Sequence, residues 1–150
     1  MTDSSITGFS HVGVVVRDLD RSIAFYRDAL DFAVAEAWPV GREFGALMEL
    51  DDVDVQSQFL RRGDLAIELL HYRSPAVEGD GQRRQVNRLG INHLCFRVAD
   101  VDAVAARVEA AGGVVLGHTR TTFGDGDGIM DFVYCTDPDG TRIELMRIPA

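Results

Sequence analysis

The chain has 150 residues, 46% of them hydrophobic and 26% charged, which is ordinary for a soluble globular protein and enough for one domain with a core. The formal net charge of −9 argues against nucleic acid or an anionic membrane as the main partner. All 15 basic residues are arginine, which excludes lysine Schiff-base chemistry and a P-loop lysine.

The first half of the chain begins with a predicted strand, a short acidic turn and a helix. The segment HVGVVV, which starts at His11, is rich in the β-branched residues that strands favour. Asp18 follows at the position expected of a helix N-cap. The next residues are amphipathic, because Ile23, Tyr26 and Leu30 recur at helical spacing.

Three further strands complete the first half. The runs FAVAEAW and VDVQSQFL predict two of them, and residues 41–50, GREFGALMEL, predict a short helix inserted between the two. The third is LAIELLHY, residues 65–72, which follows a turn at RRGD and carries Glu68 in its middle. Residues 73–90 are polar and rich in glycine and arginine, which is typical of a connector.

The second half repeats the pattern of the first. An offset of 82 residues superimposes His11 on His93, at the start of the strand HLCFRV. Asp100 then stands at the N-cap position of a second amphipathic helix, which the pair Gly112 and Gly113 is expected to end.

The remaining strands also match between the halves. The runs GVVLGHT and IMDFVYC predict strands, and the glycine-rich segment 117–128 predicts a mobile loop. An offset of 76 residues superimposes Glu68 on Glu144, so both halves end in a glutamate strand. The pattern predicts an α+β fold, with two βαβββ modules in a single domain at 1–150. The predicted boundaries are about 8–73 for module one, about 74–90 for the connector and about 91–148 for module two.

The two glutamates are chemically unusual, because a carboxylate inside an apolar strand costs free energy unless it is neutralised or hydrogen-bonded. Taken singly, a strand glutamate commonly lies on a solvated face, and a strand histidine is commonly a satisfied core or edge residue. The repeat favours a shared site. If a pseudo-twofold axis relates the modules, four side chains converge on a site that suits a divalent ion such as Ni, Co, Zn, Mn or Fe. These four are His11, Glu68, His93 and Glu144.

Four motifs resemble the vicinal oxygen chelate superfamily, and together they cover nearly the whole chain. They are HVGVVVRDLDRSIAFYRDAL, IELLHY, GINHLCFRVADVDAVAARVEAAGG and DPDGTRIELM. This superfamily includes glyoxalase I, methylmalonyl-CoA epimerase, extradiol dioxygenases, and fosfomycin and bleomycin resistance proteins. The resemblance implies two βαβββ modules forming a cupped, mixed β-sheet around one divalent metal ion. The ligands it implies are His11, Glu68, His93 and Glu144.

Glu68 indicates the branch that the chain resembles most. Dioxygenases and fosfomycin enzymes of the family use three protein ligands, whereas the glyoxalase and epimerase branches have a fourth where Glu68 stands. The resemblance therefore implies an isomerase, epimerase or lyase that moves a proton next to a carbonyl of a small oxygen-chelating substrate. Glu144 is the expected base.

Glu43 is a further catalytic candidate. Epimerases of the family place a second catalytic glutamate in a Glu-Gln-Gly context, and Glu43-Phe44-Gly45 is the nearest match in this chain. The insertion at 41–50 is a departure from the family pattern at this point, and a solvated helix residue is the alternative interpretation of Glu43.

Three other functions stay open. A non-haem iron dioxygenase of the extradiol type would consume oxygen and would not need Glu68. A non-catalytic protein of the antibiotic-resistance type would bind a small molecule without turning it over, although such proteins often lack the metal ligands present here. A purely structural domain would leave the two glutamates unexplained.

Two further features bear on the site. Cys95 shares a strand face with His93 and is expected to form a small apolar wall. The arginine pairs at 61–62 and 83–84 could grip the phosphates of a coenzyme A ester, although a solvated turn and connector are the more ordinary interpretation.

The expected location is the cytoplasm. The two cysteines, Cys95 and Cys135, set no disulfide framework, and the first ten residues lack the features of a secretory signal. No apolar run approaches the roughly 20 residues that span a bilayer. The expected partners are a small-molecule substrate and a second copy of the chain, with the site within one chain or across two.

Overall fold

Each half of the chain folds into the predicted order of a strand, a helix and further strands. The computed structural model describes residues 5–149. Module one consists of β1 (Val12–Val15), α1 (Leu19–Leu30), β2 (Ala33–Val40), α2 (Gly45–Met48), β3 (Asp54–Arg62) and β4 (Leu65–Ser74). Module two consists of β5 (Leu94–Arg97), α3 (Val101–Ala110), β6 (Val114–Val115), β7 (Thr121–Phe123), β8 (Met130–Thr136) and β9 (Arg142–Arg147).

The strands form two mixed sheets with the same internal order. In module one the order is β1-β4-β3-β2, and in module two it is β5-β9-β8-β6, with β7 also paired to β8. The first and last strands of each module run parallel, and the other pairs are antiparallel. This arrangement confirms the predicted α+β fold.

The parallel pairing brings the histidine strand of each module beside its glutamate strand. Gly13 lies opposite Glu68 in module one, and Cys95 lies opposite Glu144 in module two. Because side chains two residues apart share a strand face, each histidine lies on the same face as the glutamate of its module. The first and last strands therefore pair in the same register in both modules, as the two offsets of 82 and 76 residues indicate.

The inserted helix is confirmed as α2, which follows a 3₁₀ turn at Arg42–Phe44. Two other segments differ in detail from the prediction. The run GVVLGHT gives only the two-residue strand β6, because the chain turns at Gly117–Thr119. The segment predicted as a loop contains β7, since Thr121 to Phe123 pair with β8.

Both long helices begin where the sequence places their N-caps. The side chain of Asp18 accepts a hydrogen bond from the Arg21 backbone N–H at 3.0 Å, and that of Asp100 accepts one from Ala103 N–H at 3.0 Å. Each bond satisfies a donor that the first helical turn would otherwise leave free. Within residues 5–149, no helix is long and apolar enough to cross a lipid bilayer.

A single apolar core joins the two modules. Helix α1 packs against α3, and the rings of Phe32 and Phe96 meet edge to face with their centroids 5.9 Å apart. Phe25 and Val108, one from each helix, are fully buried in this core. Burial of such side chains stabilises a fold by about 1.5–3 kcal/mol each, so the packing strongly favours one relative orientation of the modules.

A buried hydrogen bond crosses the same interface. The Tyr26 hydroxyl donates to Asp137 Oδ2 at 2.9 Å, and Asp137 Oδ1 accepts from the N–H groups of Asp139 and Thr141 at 2.9 and 2.8 Å. Burial and the neighbouring Asp137 raise the pKa of Tyr26 well above its ordinary value, so its hydroxyl remains a donor. The N–H of Arg17 donates to Asp139 Oδ2 at 2.9 Å and ties α1 to the same turn.

We expect Tyr26→Phe to lower the free energy of unfolding by about 1–3 kcal/mol, because it leaves the buried Asp137 carboxyl without one of its donors. Urea denaturation followed by circular dichroism measures this change. Tyr72→Phe is the matched control, since the Tyr72 hydroxyl makes no hydrogen bond to the described part of the chain. Equal stability of the two variants would show that the buried bond contributes nothing.

Candidate metal centre

The module-one pair consists of His11 and Glu68. His11 Nε2 lies 3.1 Å from Glu68 Oε2, and both side chains are partly buried. The Ser57 hydroxyl donates to the other carboxylate oxygen, Glu68 Oε1, at 2.5 Å. The imidazole ring packs edge to face against Phe59, with the centroids 5.1 Å apart. Phe59 is the cross-strand neighbour of Glu68, so β3 and β4 together fix this pair.

The module-two pair consists of His93 and Glu144, and its surroundings repeat those of the first. His93 Nε2 lies 2.8 Å from Glu144 Oε2. The imidazole packs against Tyr134 with the centroids 5.5 Å apart, and Tyr134 is the cross-strand neighbour of Glu144. Cys95 lies opposite Glu144 on the parallel strand.

The outer nitrogen of each imidazole is also hydrogen-bonded. His93 Nδ1 lies 2.6 Å from Asn92 Oδ1, an oxygen that can only accept, so this nitrogen carries a proton. His11 Nδ1 lies 2.9 Å from Ser10 Oγ in the equivalent position. An anchored Nδ1–H leaves Nε2 directed at the carboxylate, where a proton or a cation is needed between the two.

The donor types fit a divalent transition metal. Imidazole nitrogen and carboxylate oxygen suit ions of borderline hardness, and a histidine ligand commonly donates its other N–H to a fixed acceptor. The four predicted ligands are brought together as two pairs. Among residues 5–149, no group of three or more His, Cys, Asp or Glu side chains is close enough to hold a metal ion.

Glu144 faces a cavity of about 280 Å³. One wall is apolar, because the rings of Phe123 and Phe132 stack there with their centroids 5.4 Å apart. Tyr134 and the hydroxyl-bearing Thr119 and Thr121 complete much of the lining. A small molecule held here would meet the Glu144 carboxylate at one end and aromatic rings at the other.

Two neighbours of Glu144, Cys95 and Tyr134, remain protonated at neutral pH. Burial and the Glu144 charge raise the pKa of Cys95 to about 11, so Cys95 is a thiol rather than a thiolate. Burial and Glu144 also raise the pKa of Tyr134.

Sequence reasoning did not identify Ser57, Asn92 or Tyr134. Asn92 directly precedes His93, as Ser10 precedes His11, and the offset of 82 residues would have paired them. Ser57 and Tyr134 reach the site because β3 pairs with β4 and β8 pairs with β9. The repeat in the sequence does not indicate how these strands pair.

Glu43 lies on the surface. It is exposed in the 3₁₀ turn before α2, where its carboxylate accepts a hydrogen bond from the Gly41 N–H at 3.3 Å. Its role as a second base stays a prediction.

Comparison with known families identifies the chain. Residues 8–145 match the family model described as the Glyoxalase/Bleomycin resistance protein/Dioxygenase superfamily. The chain belongs to this superfamily. Both the resemblance stated from the motifs and the fold are thereby confirmed.

Two named relatives align with nearly all of the chain. The ethylmalonyl-CoA/methylmalonyl-CoA epimerase of Cereibacter sphaeroides is 31% identical, over 93% of this chain and 96% of the relative. The 2-epi-5-epi-valiolone epimerase of an Actinomyces species is 34% identical, over 100% of this chain and 86% of the relative. The chain is an enzyme of this superfamily.

A solved structure agrees with the fold. The glyoxalase family protein from Bacillus cereus superimposes with a TM-score of 0.84, covering 100% of this chain and 99% of that chain. Its sequence identity is 22%, so this similarity concerns the fold alone.

We expect Glu68→Ala and Glu144→Ala each to lose most bound metal, because each removes one carboxylate ligand. Elemental mass spectrometry after reconstitution with Ni, Co, Zn or Mn should find about one ion per chain in the wild type. Glu109→Ala, which removes an exposed glutamate from α3, is the control and should keep full occupancy. A wild-type protein that binds no ion would contradict the metal hypothesis.

Proposed function

We propose that this enzyme is a metal-dependent epimerase. It removes and returns a proton at a carbon next to a carbonyl, on a small substrate that chelates through oxygen atoms. One observation carries the proposal: Glu144 is paired with His93 at 2.8 Å and also faces a cavity of about 280 Å³. The two relatives described above, which carry epimerase names, support the same reaction class.

The metal would be held by His11, Glu68, His93 and Glu144. When bound, it supplies Lewis-acid stabilisation of the negative charge that develops on the substrate's carbonyl oxygen.

Glu144 is the proposed base. It takes the proton from the carbon and returns it, and its position at the cavity wall gives it access to a bound substrate. The stacked rings of Phe123 and Phe132 offer the substrate an apolar wall beside Glu144. Tyr134 keeps its phenolic proton and orients the His93 ring against Glu144.

We further propose that two copies of the chain complete each site. The module-one and module-two pairs do not meet within the described residues, although each is well formed. Closing the chain on itself would disrupt the shared core and the buried bond between Tyr26 and Asp137. A second copy can instead place its module-one pair against the module-two pair without that cost.

Solvent deuterium should enter the carbon next to the carbonyl of methylmalonyl-CoA or 2-epi-5-epi-valiolone, the molecules named in the relatives, when the metal-loaded enzyme acts on them. Glu144→Gln should slow this exchange by about 100-fold or more, because it removes the base. Mass spectrometry of the recovered substrate measures the exchange, with Glu109→Gln as the control. Exchange at the wild-type rate in Glu144→Gln would remove Glu144 from this role, and oxygen uptake by the wild type would favour a dioxygenase.

A mixing experiment tests the shared site. One variant carries His11→Ala and Glu68→Ala, and the other carries His93→Ala and Glu144→Ala. Neither should exchange deuterium alone. If the site is shared, refolding them together forms heterodimers with one intact site and restores roughly a quarter of the wild-type activity. If each chain builds its own site, the mixture stays inactive.

A further inference from the structure

Several arginines of the connector gather beside the module-two pair. A cavity of about 250 Å³ lies between β1 and the first residues of β5 and β9. Arg84, Arg88 and Arg142 line it together with His93 and Asn92. A neighbouring cavity of about 240 Å³ shares Arg84 and Arg142 and adds Arg83. We call these four arginines the arginine pocket.

No carboxylate lines either cavity among the residues that the structure describes. This is unexpected in a chain with 24 acidic and 15 basic residues. Elsewhere arginines are commonly paired, as Arg73 is with Asp54 and Arg107 with Asp31, both at 2.7 Å. The arginine pocket therefore holds positive charge that the described part of the protein does not neutralise.

The charge is also held in place. Arg142 is only 8% exposed, its Nη2 donates to the Arg84 carbonyl oxygen at 2.7 Å, and its guanidinium packs over the Tyr134 ring at 4.9 Å. Arg84 Nη2 in turn donates to the Leu89 carbonyl oxygen at 2.9 Å. A guanidinium that is fixed before binding loses little conformational entropy when it meets an anion.

Arg83, Arg84 and Arg142 line one cavity together, so like charges lie close to one another in a place where an anion would relieve their repulsion. Guanidinium groups match phosphate oxygens particularly well, because they can donate two parallel hydrogen bonds.

The same cavity has an apolar side. Val12, Val14, Ile91 and Leu94 line it together with the arginines. An inorganic anion would leave this surface uncovered, whereas an organic phosphate would cover it with carbon atoms. Because His93 also lines the cavity, a ligand held here extends towards the proposed reacting centre.

We propose that the arginine pocket binds the phosphate group of an organic phosphate, and that this group is part of the substrate. The identity of the ligand as the substrate rests on the proposed function, whereas binding of the phosphate does not. The pocket would thereby anchor one end of the substrate while the carbon that loses its proton lies near Glu144.

Isothermal titration calorimetry on metal-free protein tests the proposal, with inorganic pyrophosphate, coenzyme A and pantetheine as probes. Pantetheine is the arm of coenzyme A without its phosphates. The wild type should bind coenzyme A more tightly than pyrophosphate and should not bind pantetheine measurably. The double variant Arg83→Gln/Arg88→Gln should bind coenzyme A at least about tenfold more weakly, because it removes two donors to phosphate.

The matched control is Arg27→Gln/Arg42→Gln, which removes the same charge from two exposed arginines that have carboxylate partners. It should bind coenzyme A as the wild type does. The proposal is overturned if no phosphate probe binds the wild type, if both double variants weaken binding equally, or if pyrophosphate binds but coenzyme A does not.

A further variant separates this proposal from the proposed function. Glu144→Ala should retain coenzyme A binding, since Glu144 does not line either arginine-lined cavity. If the wild type binds coenzyme A but exchanges no deuterium, the pocket stands and the epimerase proposal fails. If exchange occurs and the Arg83→Gln/Arg88→Gln variant keeps its affinity, the pocket fails alone.

Discussion

The packing of α1 against module two governs how the site can form. Tyr26 donates its buried hydroxyl proton to Asp137, and Asp137 also accepts two backbone N–H bonds from the turn that leads into β9. The turn that begins the Glu144 strand is therefore fastened to the first helix of module one. Because the contact is buried and hydrogen-bonded, a change in the relative orientation of the modules would leave polar groups unpaired. The separation of the two histidine–glutamate pairs within one chain follows from this rigid interface.

The sequence was sufficient to predict the two modules but not how they pack against each other. The repeated strand, acidic N-cap and helix identified both halves, and the confirmed caps at Asp18 and Asp100 are local interactions that a short segment determines. The two offsets also placed each histidine in the strand beside its glutamate. In contrast, the contact of Phe32 with Phe96 joins residues far apart in the chain and follows no period.

The same division applies to the site. Pairing within a module followed from the repeat, because β1 and β4, and likewise β5 and β9, run side by side. The residues that hold each pair in place were missed, since Ser57 and Tyr134 reach their glutamates across antiparallel strands. Phe59 lies opposite Glu68 and Tyr134 lies opposite Glu144, an offset of 75 residues where the glutamates themselves are 76 apart, so the two halves are no longer related by a constant offset.

The surroundings of the two pairs differ, and this difference bears on the roles proposed for Glu68 and Glu144. Glu68 accepts a 2.5 Å hydrogen bond from Ser57 on one oxygen and faces His11 with the other, so both of its oxygens are engaged within module one. Glu144 has no serine in that position, and it lines a cavity together with its cross-strand neighbour Tyr134. A carboxylate that must release a ligand position and accept a proton needs such open space, whereas one that only binds a metal is better fixed. The two modules therefore share a strand order without having equivalent glutamates, which supports the proposal of Glu68 as a structural ligand and Glu144 as the base.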